Sequence, residues 1–407
     1  WLEQERKELA PLVLAYDSSQ TKPENRLVST NLAENEKILA ALYHQPDNRD
    51  LIVRKFNIPG AEPLQAMIVY LDGMIDKQTV NISILQPLML LSGITPQNGE
   101  DLLQLVINEY LPSNQVQLHR KFADIVDGIN GGDTAIFFTG IDQAIIVETK
   151  GFEHRGIERP QIEQTIRGSQ SAFCEILRIN TALIRTILPT SDLVTEMIPV
   201  GKRVPLYAAI MYLKSVANPE LVVEIKRRLK GINTDYIVEG GALLQFIEDY
   251  PRSLFPQSMS TERPDRVAAN LAEGRVAILL HGSPFAYIVP VSFFSFFQSI
   301  EDFALKSPAG TFMRILRLLG TLLAVTLPAI YLGINYFHQE ALPTELALAI
   351  AAAREQVPFP ALIEIILMEM SFELIREAGL RVPGLLGSTI GIVGAIVLGQ
   401  AAVTAKI

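Results

Sequence analysis

The chain has 407 residues, 49% of them hydrophobic and 19% charged, with a net charge of -9 and a mean hydropathy of +0.25. That is too apolar for an ordinary soluble enzyme, and no basic stretch longer than residues 226–230 exists to neutralise phosphates, which excludes a nucleic-acid-binding face. A single cysteine, Cys174, excludes an internal disulfide framework and suits a reducing compartment. The chain begins at Trp1 and stops at Ile407 just past an apolar run, so it is expected to be a piece of a longer protein. No signal-peptide pattern stands in the residues given, which leaves membrane targeting to the C-terminal end.

Residues 1–50 are charged, with a helix expected over 30–43, and form an N-terminal helical or linker segment. Strands are expected at 51–56 and 64–71, the second closed by the turn pair Asp72-Gly73. Residues 74–91 suggest a helix with a kink or boundary at Pro87, and 102–111 and 116–128 are helical or mixed. Residues 133–149 form two β-rich runs about Gly140, a hairpin. Residues 51–150 thus make one α/β subdomain.

A polar amphipathic helix is expected over 161–177, with Cys174 packed in it, and a strand over 204–213. Asn218-Pro219 is a helix start, with Asn as cap and Pro at the first helical position. Leu221, Val222, Ile225 and Leu229 mark its buried face. A short helix follows at 243–249, so 151–275 make a second α/β subdomain. Residues 275–291 suggest a hairpin broken at Gly282-Ser283-Pro284. Phe293, Phe294, Phe296 and Phe297 follow, either as core or as an interfacial segment. Residues 276–310 are therefore set apart as a hairpin and membrane-interface segment.

Residues 311–407 are expected to be an α-helical integral membrane domain. Residues 318–337 carry no charge, and a span needs roughly 20 apolar residues. Pro328 lies inside this run and removes one backbone hydrogen bond. Residues 384–405 form a second uncharged run. Gly387 and Gly391, then Gly394 and Gly399, are candidates for close helix packing. Between the runs lie two shorter apolar pieces, 346–353 and 361–372, separated by Arg354, Pro358 and Pro360 as a candidate gate or break. Arg314 and Arg317 precede the first run, which places the N-terminal region in the cytoplasm. Glu364, Glu369 and Glu373 punctuate the second short piece. A charge at the bilayer centre costs about 2.5–3.5 kcal/mol. They are therefore carboxylates of a surface helix, the polar lining of a cation path, or members of structural ion pairs.

Nothing catalytic emerges. The five histidines show no metal-ligand spacing, no nucleotide-binding loop or nucleophile elbow occurs, and Gly131-Gly132-Asp133 suits a turn. No cofactor and no metal are expected.

An ordered series of short motifs carries a resemblance. It runs from Tyr70-Leu71-Asp72-Gly73-Met74-Ile75-Asp76-Lys77 through Gly132-Asp133-Thr134-Ala135 to Thr149-Lys150-Gly151-Phe152. It continues with Arg167-Gly168, Asn180-Thr181-Ala182-Leu183, Glu262-Arg263-Pro264-Asp265 and Glu273-Gly274-Arg275-Val276. Val357-Pro358-Phe359-Pro360 and Arg376-Glu377-Ala378-Gly379 complete it. Over nearly its whole length the chain resembles the A subunit of GerA-type spore germinant receptors. A stage V sporulation protein is a close paralogue of that family.

The resemblance implies a multi-pass subunit of the spore inner membrane, not an enzyme. It would act with a transporter-like B subunit and a lipoprotein C subunit, oligomerise with itself among the lipids, and form a nutrient-gated channel for monovalent cations. The alternatives are a non-conducting scaffold that couples a nutrient-binding partner to another channel, and a germination-amplifying subunit of the stage V type.

Overall fold

The structure, a computed structural model, describes residues 26–59, 63–90, 99–113, 115–151, 160, 162–165, 168–355, 357–381, 393–397, 399–400 and 403–404. It divides into two units, 1–304 and 305–407.

The first unit is built on two five-stranded antiparallel sheets. In the first, β1 (Leu51–Ile58) and β2 (Leu64–Leu71) form a hairpin, followed by β3 (Val116–His119), β4 (Thr134–Phe138) and β5 (Ala144–Val147), in the order β1-β2-β4-β5-β3. Helix α1 (Leu32–Leu42) precedes it. Helix α2 joins Lys77–Thr79, a π stretch Val80–Leu85 and Gln86–Leu90. Helix α3 (Gly99–Leu105) runs on into a π stretch Val106–Tyr110, and α4 is Phe122–Asn130. The widened π turn of α2 comes just ahead of Pro87, whose ring would clash with the carbonyl four residues back in a regular α-helix.

Strand β4 is buried along its whole length, and its side chains alternate between two cores, as the period of two requires. Ala135 and Phe137 meet α1 and α4, while Ile136 and Phe138 meet α2 and α3.

The second sheet repeats this plan. It contains β6 (Leu193–Val200), β7 (Leu206–Leu213), β8 (Met259–Thr261), β9 (Val276–Leu280) and β10 (Ala286–Val289), in the order β6-β7-β9-β10-β8. Helix α5 (Leu177–Ile187) precedes it, and α6 (Pro219–Gly231), α7 (Gly240–Ile247) and α8 (Pro264–Ala272) pack on its faces. Asn218 caps α6, its side-chain oxygen accepting from the Glu220 N–H at 3.0 Å, with Pro219 in the first turn. Val276, Ile278 and Leu280 face α6 and α7, whereas Ala277 and Leu279 face α5 and α8.

The two halves are copies at a fixed register. Leu51 and Leu193, Leu64 and Leu206, Phe122 and Pro264, Thr134 and Val276, and Ala144 and Ala286 all begin equivalent elements 142 residues apart. The local bonding repeats as well. The Asn35 side chain accepts from the Ser29 N–H at 2.8 Å and donates to the Ser29 carbonyl. Asn180 does the same with Cys174, accepting at 2.8 Å. Gly132 (φ +93°) and Gly274 (φ +88°) hold the same turn, where an added Cβ would lie 2.9 Å from the Met74 and Val216 carbonyl oxygens respectively. Gly132→Ala and Gly274→Ala are each expected to cost about 1–3 kcal/mol, because both the left-handed backbone and the carbonyl contact resist the methyl group. Thermal unfolding of the two variants checks this; unchanged midpoints would show that the turns relax freely.

Two sequence expectations are corrected. The helix over 161–177 is not formed: residues 162–165 and 168–176 are loop, and α5 begins at Leu177. Their backbone polar groups are taken by side chains instead, and Cys174 sits half-buried in that loop, its N–H and carbonyl held by Asn180. The boundary at 275 falls inside a sheet, since β9 pairs with β7 and β10 with β8. The expected second span lies largely outside the described residues, Gly387 and Gly391 among them.

In the second unit, α9 having closed the first at Glu301–Ala304, helix α10 (Ser307–Phe337) is followed by α11 (Thr344–Arg354) and α12 (Ala361–Arg381). Among the described residues α10 is the one helix long and apolar enough to cross a membrane. Pro328 lies within α10, which continues through it. Gly394 approaches α12 so closely that a Cβ would sit 2.5 Å from Ile375 Cγ2, whereas Gly399 meets nothing within 4 Å.

Candidate functional site

One motif of the series, Glu262-Arg263-Pro264-Asp265, stands at the start of α8 and gathers the loop that carries Gly168 around it. Arg263 is fully buried, and each of its guanidinium N–H groups finds an acceptor. Nε and Nη2 grip the Asp265 carboxylate at 3.1 and 2.7 Å. Nη1 donates to the Glu163 carbonyl at 3.1 Å and to Thr165 Oγ1 at 2.8 Å, and Nη2 also donates to the Ser169 carbonyl at 2.9 Å. Glu262 Oε1 accepts from the N–H groups of Ile162 and Glu163 at 2.6 and 2.8 Å. Glu163 in turn accepts from Thr261 Oγ1 at 2.5 Å and pairs with Arg266. Pro264 starts α8 where no backbone donor is needed.

Gly168 has φ +127°, and its missing Cβ would lie 3.4 Å from Arg263 Nη2, so glycine lets the loop pass over the guanidinium. These bonds turn a polar stretch with helical periodicity into a fixed loop. Arg167 lies outside the described residues. The Glu273-Gly274-Arg275-Val276 motif is a separate place: Glu273 and Arg275 pair at 3.3 Å at the turn into β9, where Val276 is buried.

A second cluster joins the two copies. Asp50, at the entry to β1, receives Arg178 Nη1 at 2.8 Å and Arg185 Nη2 at 2.7 Å, both from α5. Arg185 is 1% exposed and also donates to the Leu193 carbonyl and Thr195 Oγ1, each at 3.1 Å. Its Nε and Nη1 have no hydrogen-bond partner among the described residues. Arg178 reaches Asp72 at 3.3 Å. Tyr43 is buried beside this cluster, and burial raises its hydroxyl pKa above the ordinary tyrosine value, against the opposing effect of Arg185.

Reasoning from sequence missed Asp50 and Arg185. The available signal was the spacing of Arg178 and Arg185, seven residues apart and hence on one face of α5, the face that also buries Thr181 and Ala182. Two cations on such a face require a carboxylate partner.

In the second unit, the structure brings together Arg354 and Glu364, 3.5 Å apart across the segment that contains Pro358 and Pro360. Glu364 is buried, and the Pro360 carbonyl accepts its backbone N–H at 3.2 Å at the start of α12. Glu369 and Glu373 are exposed in the unit by itself, and Glu373 pairs with Arg376 at 2.5 Å. The three carboxylates therefore do not converge on one point.

The two-sheet unit has a counterpart of known structure. It is similar to the N-terminal domain of the A subunit of the Bacillus megaterium spore germinant receptor GerK3, with a TM-score of 0.51 and 30% identity, covering 66% of this chain and 97% of that domain. The chain is also 37% identical to spore germination protein KA of Bacillus subtilis over 388 residues, 95% of this chain and 70% of the relative. Spore germination protein GerLA of Bacillus cereus is 40% identical over 358 residues, 88% and 72%. An uncharacterized membrane protein of Bacillus subtilis, YfkQ, is 35% identical over 402 residues, 99% and 76%.

Residues 37–407 match the Bacillus/Clostridium GerA spore germination protein family, and the chain belongs to that family. It is of the A-subunit type, a germination protein and not an enzyme.

Proposed function

We propose that the chain is the A subunit of a nutrient receptor of the spore inner membrane and contributes to a nutrient-gated path for monovalent cations. It does so with a transporter-like B subunit, a lipoprotein C subunit and further copies of itself. The match over residues 37–407 carries this reading, because it runs through both the two-sheet unit and the helices after it. Arg314 and Arg317, near the start of α10, favour a cytoplasmic two-sheet unit, and the second uncharged run at 384–405 favours a multi-pass topology. The apolar helix α12, interrupted by Glu364, Glu369 and Glu373, supports a water-lined path, since carboxylates in hydrocarbon are expensive.

Potassium flux from liposomes carrying this subunit with its B and C partners tests the reading. Flux that requires both nutrient and this chain is expected. Glu369→Gln and Glu373→Gln should each change that flux severalfold without loss of assembly. Normal flux in both variants would remove these carboxylates from the path. No flux from an assembled, nutrient-binding complex would favour the scaffold reading, which the exposed Glu373–Arg376 pair also fits.

A further inference from the structure

Two segments far apart in sequence meet to form an exposed aromatic face on the second sheet's half of the first unit. Residues 293–297 form a 3-10 helix, and Phe293 packs edge-on against Phe255 with ring centroids 6.0 Å apart, against Phe294 at 5.8 Å and against Phe297 at 5.1 Å. The partner segment is the loop after α7. Leu254 at its tip is 98% exposed, Phe255 68% and Phe294 62%.

The loop is not loosely held. Gln257 accepts from the N–H groups of Asp249 and Tyr250 at 3.1 and 3.3 Å and donates to the Tyr250 carbonyl at 2.8 Å, so one amide closes its base. Ser253 Oγ accepts from the Phe255 N–H and donates to the Phe255 carbonyl, each at 3.1 Å, and fixes the tip. At the other segment, Arg266 Nη2 donates to the Gln298 carbonyl at 3.0 Å and ties the end of the 3-10 helix to α8. A fold that bonds apolar side chains into an outward position has prepared them for a partner.

We propose that this face, formed by Arg252, Leu254, Phe255, Phe293, Phe294 and Phe296, docks into the headgroup and acyl boundary of a lipid bilayer. The proposal rests on the reading of α10 as a membrane span. Three observations select lipid. Only residues 298–306 separate Phe297 from the first residue of α10, a tether of roughly 36 Å or less even if fully extended. Exposed aromatic and leucine side chains beside an arginine match the composition of an interfacial anchor, with no acidic residue in 250–256 or 290–300 to repel anionic headgroups. The four phenylalanines and the loop tip belong to different elements, so the face is broad enough to lie on a surface rather than to fill a pocket.

The test uses the full chain in phospholipid liposomes. Trp1 is the sole tryptophan, so a Trp1→Phe background takes single reporters. Leu254→Trp and Phe294→Trp report on the face, Tyr331→Trp on α10, and Ile82→Trp, an exposed site on α2, serves as reference. Acyl chains brominated near the headgroup should quench both face reporters roughly twofold more than the reference. Chains brominated near the bilayer centre should quench them less, because an interfacial anchor sits about 5–10 Å deep.

If Tyr331→Trp is quenched while both face reporters behave like the reference, the docking proposal falls and the span reading stands. If Tyr331→Trp is also unquenched, the span reading falls with it. Face reporters shielded from aqueous iodide yet untouched by brominated lipid would assign the face to a protein partner and overturn the proposal.

Discussion

Asp50→Ala is expected to destabilise the two-sheet unit by about 3–5 kcal/mol, the cost of leaving a buried cation without its counter-charge. Asp50 and Arg185 are 2% and 1% exposed at their side chains and meet at 2.7 Å. Arg178 is less affected, because its side chain is partly exposed and retains Asp72. The same reasoning predicts strong non-additivity. Removing both partners with apolar side chains, Asp50→Leu with Arg185→Met, should recover most of the loss, since a buried pair replaced as a whole is often neutral. Urea unfolding of the two single variants and the double variant gives the coupling directly. If the two single losses simply add, the pair is not a coupled unit and the copies are held together by other contacts.

Arg263→Lys is expected to free the loop at 162–165 and 168–171 and to cost about 3–5 kcal/mol, comparable to breaking a buried pair. A lysine carries three donors on one nitrogen and cannot reach the Asp265 carboxylate, Thr165 and the carbonyls of Glu163 and Ser169 together. Glu262→Gln should be milder, because an amide oxygen can still accept from Ile162 and Glu163, whereas Glu262→Ala removes the acceptor. Limited proteolysis reads the outcome: Arg263→Lys and Glu262→Ala should be cut within that loop well before the parent protein. A loop as resistant as the parent's in both variants would show that the latch does not hold it.

Two of the hairpins were legible from short-range chemistry. Gly140 and Gly282 mark turns between β-branched and aromatic runs, and Asn218-Pro219 announces α6 by its cap. The loop at 162–165 and 168–176 was not legible, because its conformation is imposed by Glu262 and Arg263 from nearly a hundred residues away. Local propensity cannot report a bond whose partner is so distant. The duplication did leave a trace: Leu-x-Ala-x-Ile-x-Tyr-Leu occurs at residues 64–71 and again at 206–213, and Gly-x-x-Ala-Ile-x-x-x-Gly at 132–140 and 274–282. Each pattern is mostly generic strand hydrophobics, and it is informative only when the common spacing is noticed. The acidic helix was identified as a helix, but the pairing of Glu364 with Arg354 depends on how the chain turns at Pro358 and Pro360.

A duplicated module that binds its own copy head to tail would keep adding copies wherever the rotation of that heterologous contact does not close a ring. This chain carries the means to stop at two. By the matched Asn35 and Asn180, the places of Arg178 and Arg185 are held in α1 by Ala33 and Ala40. On the receiving side, Asp192 stands where Asp50 does, but Lys214 replaces Asp72. The first copy thus lacks the plug and the second copy has a reversed charge in its socket. The array is capped at both ends by ordinary substitutions, which leaves the outer faces of the pair free to evolve other contacts while the inner one remains private.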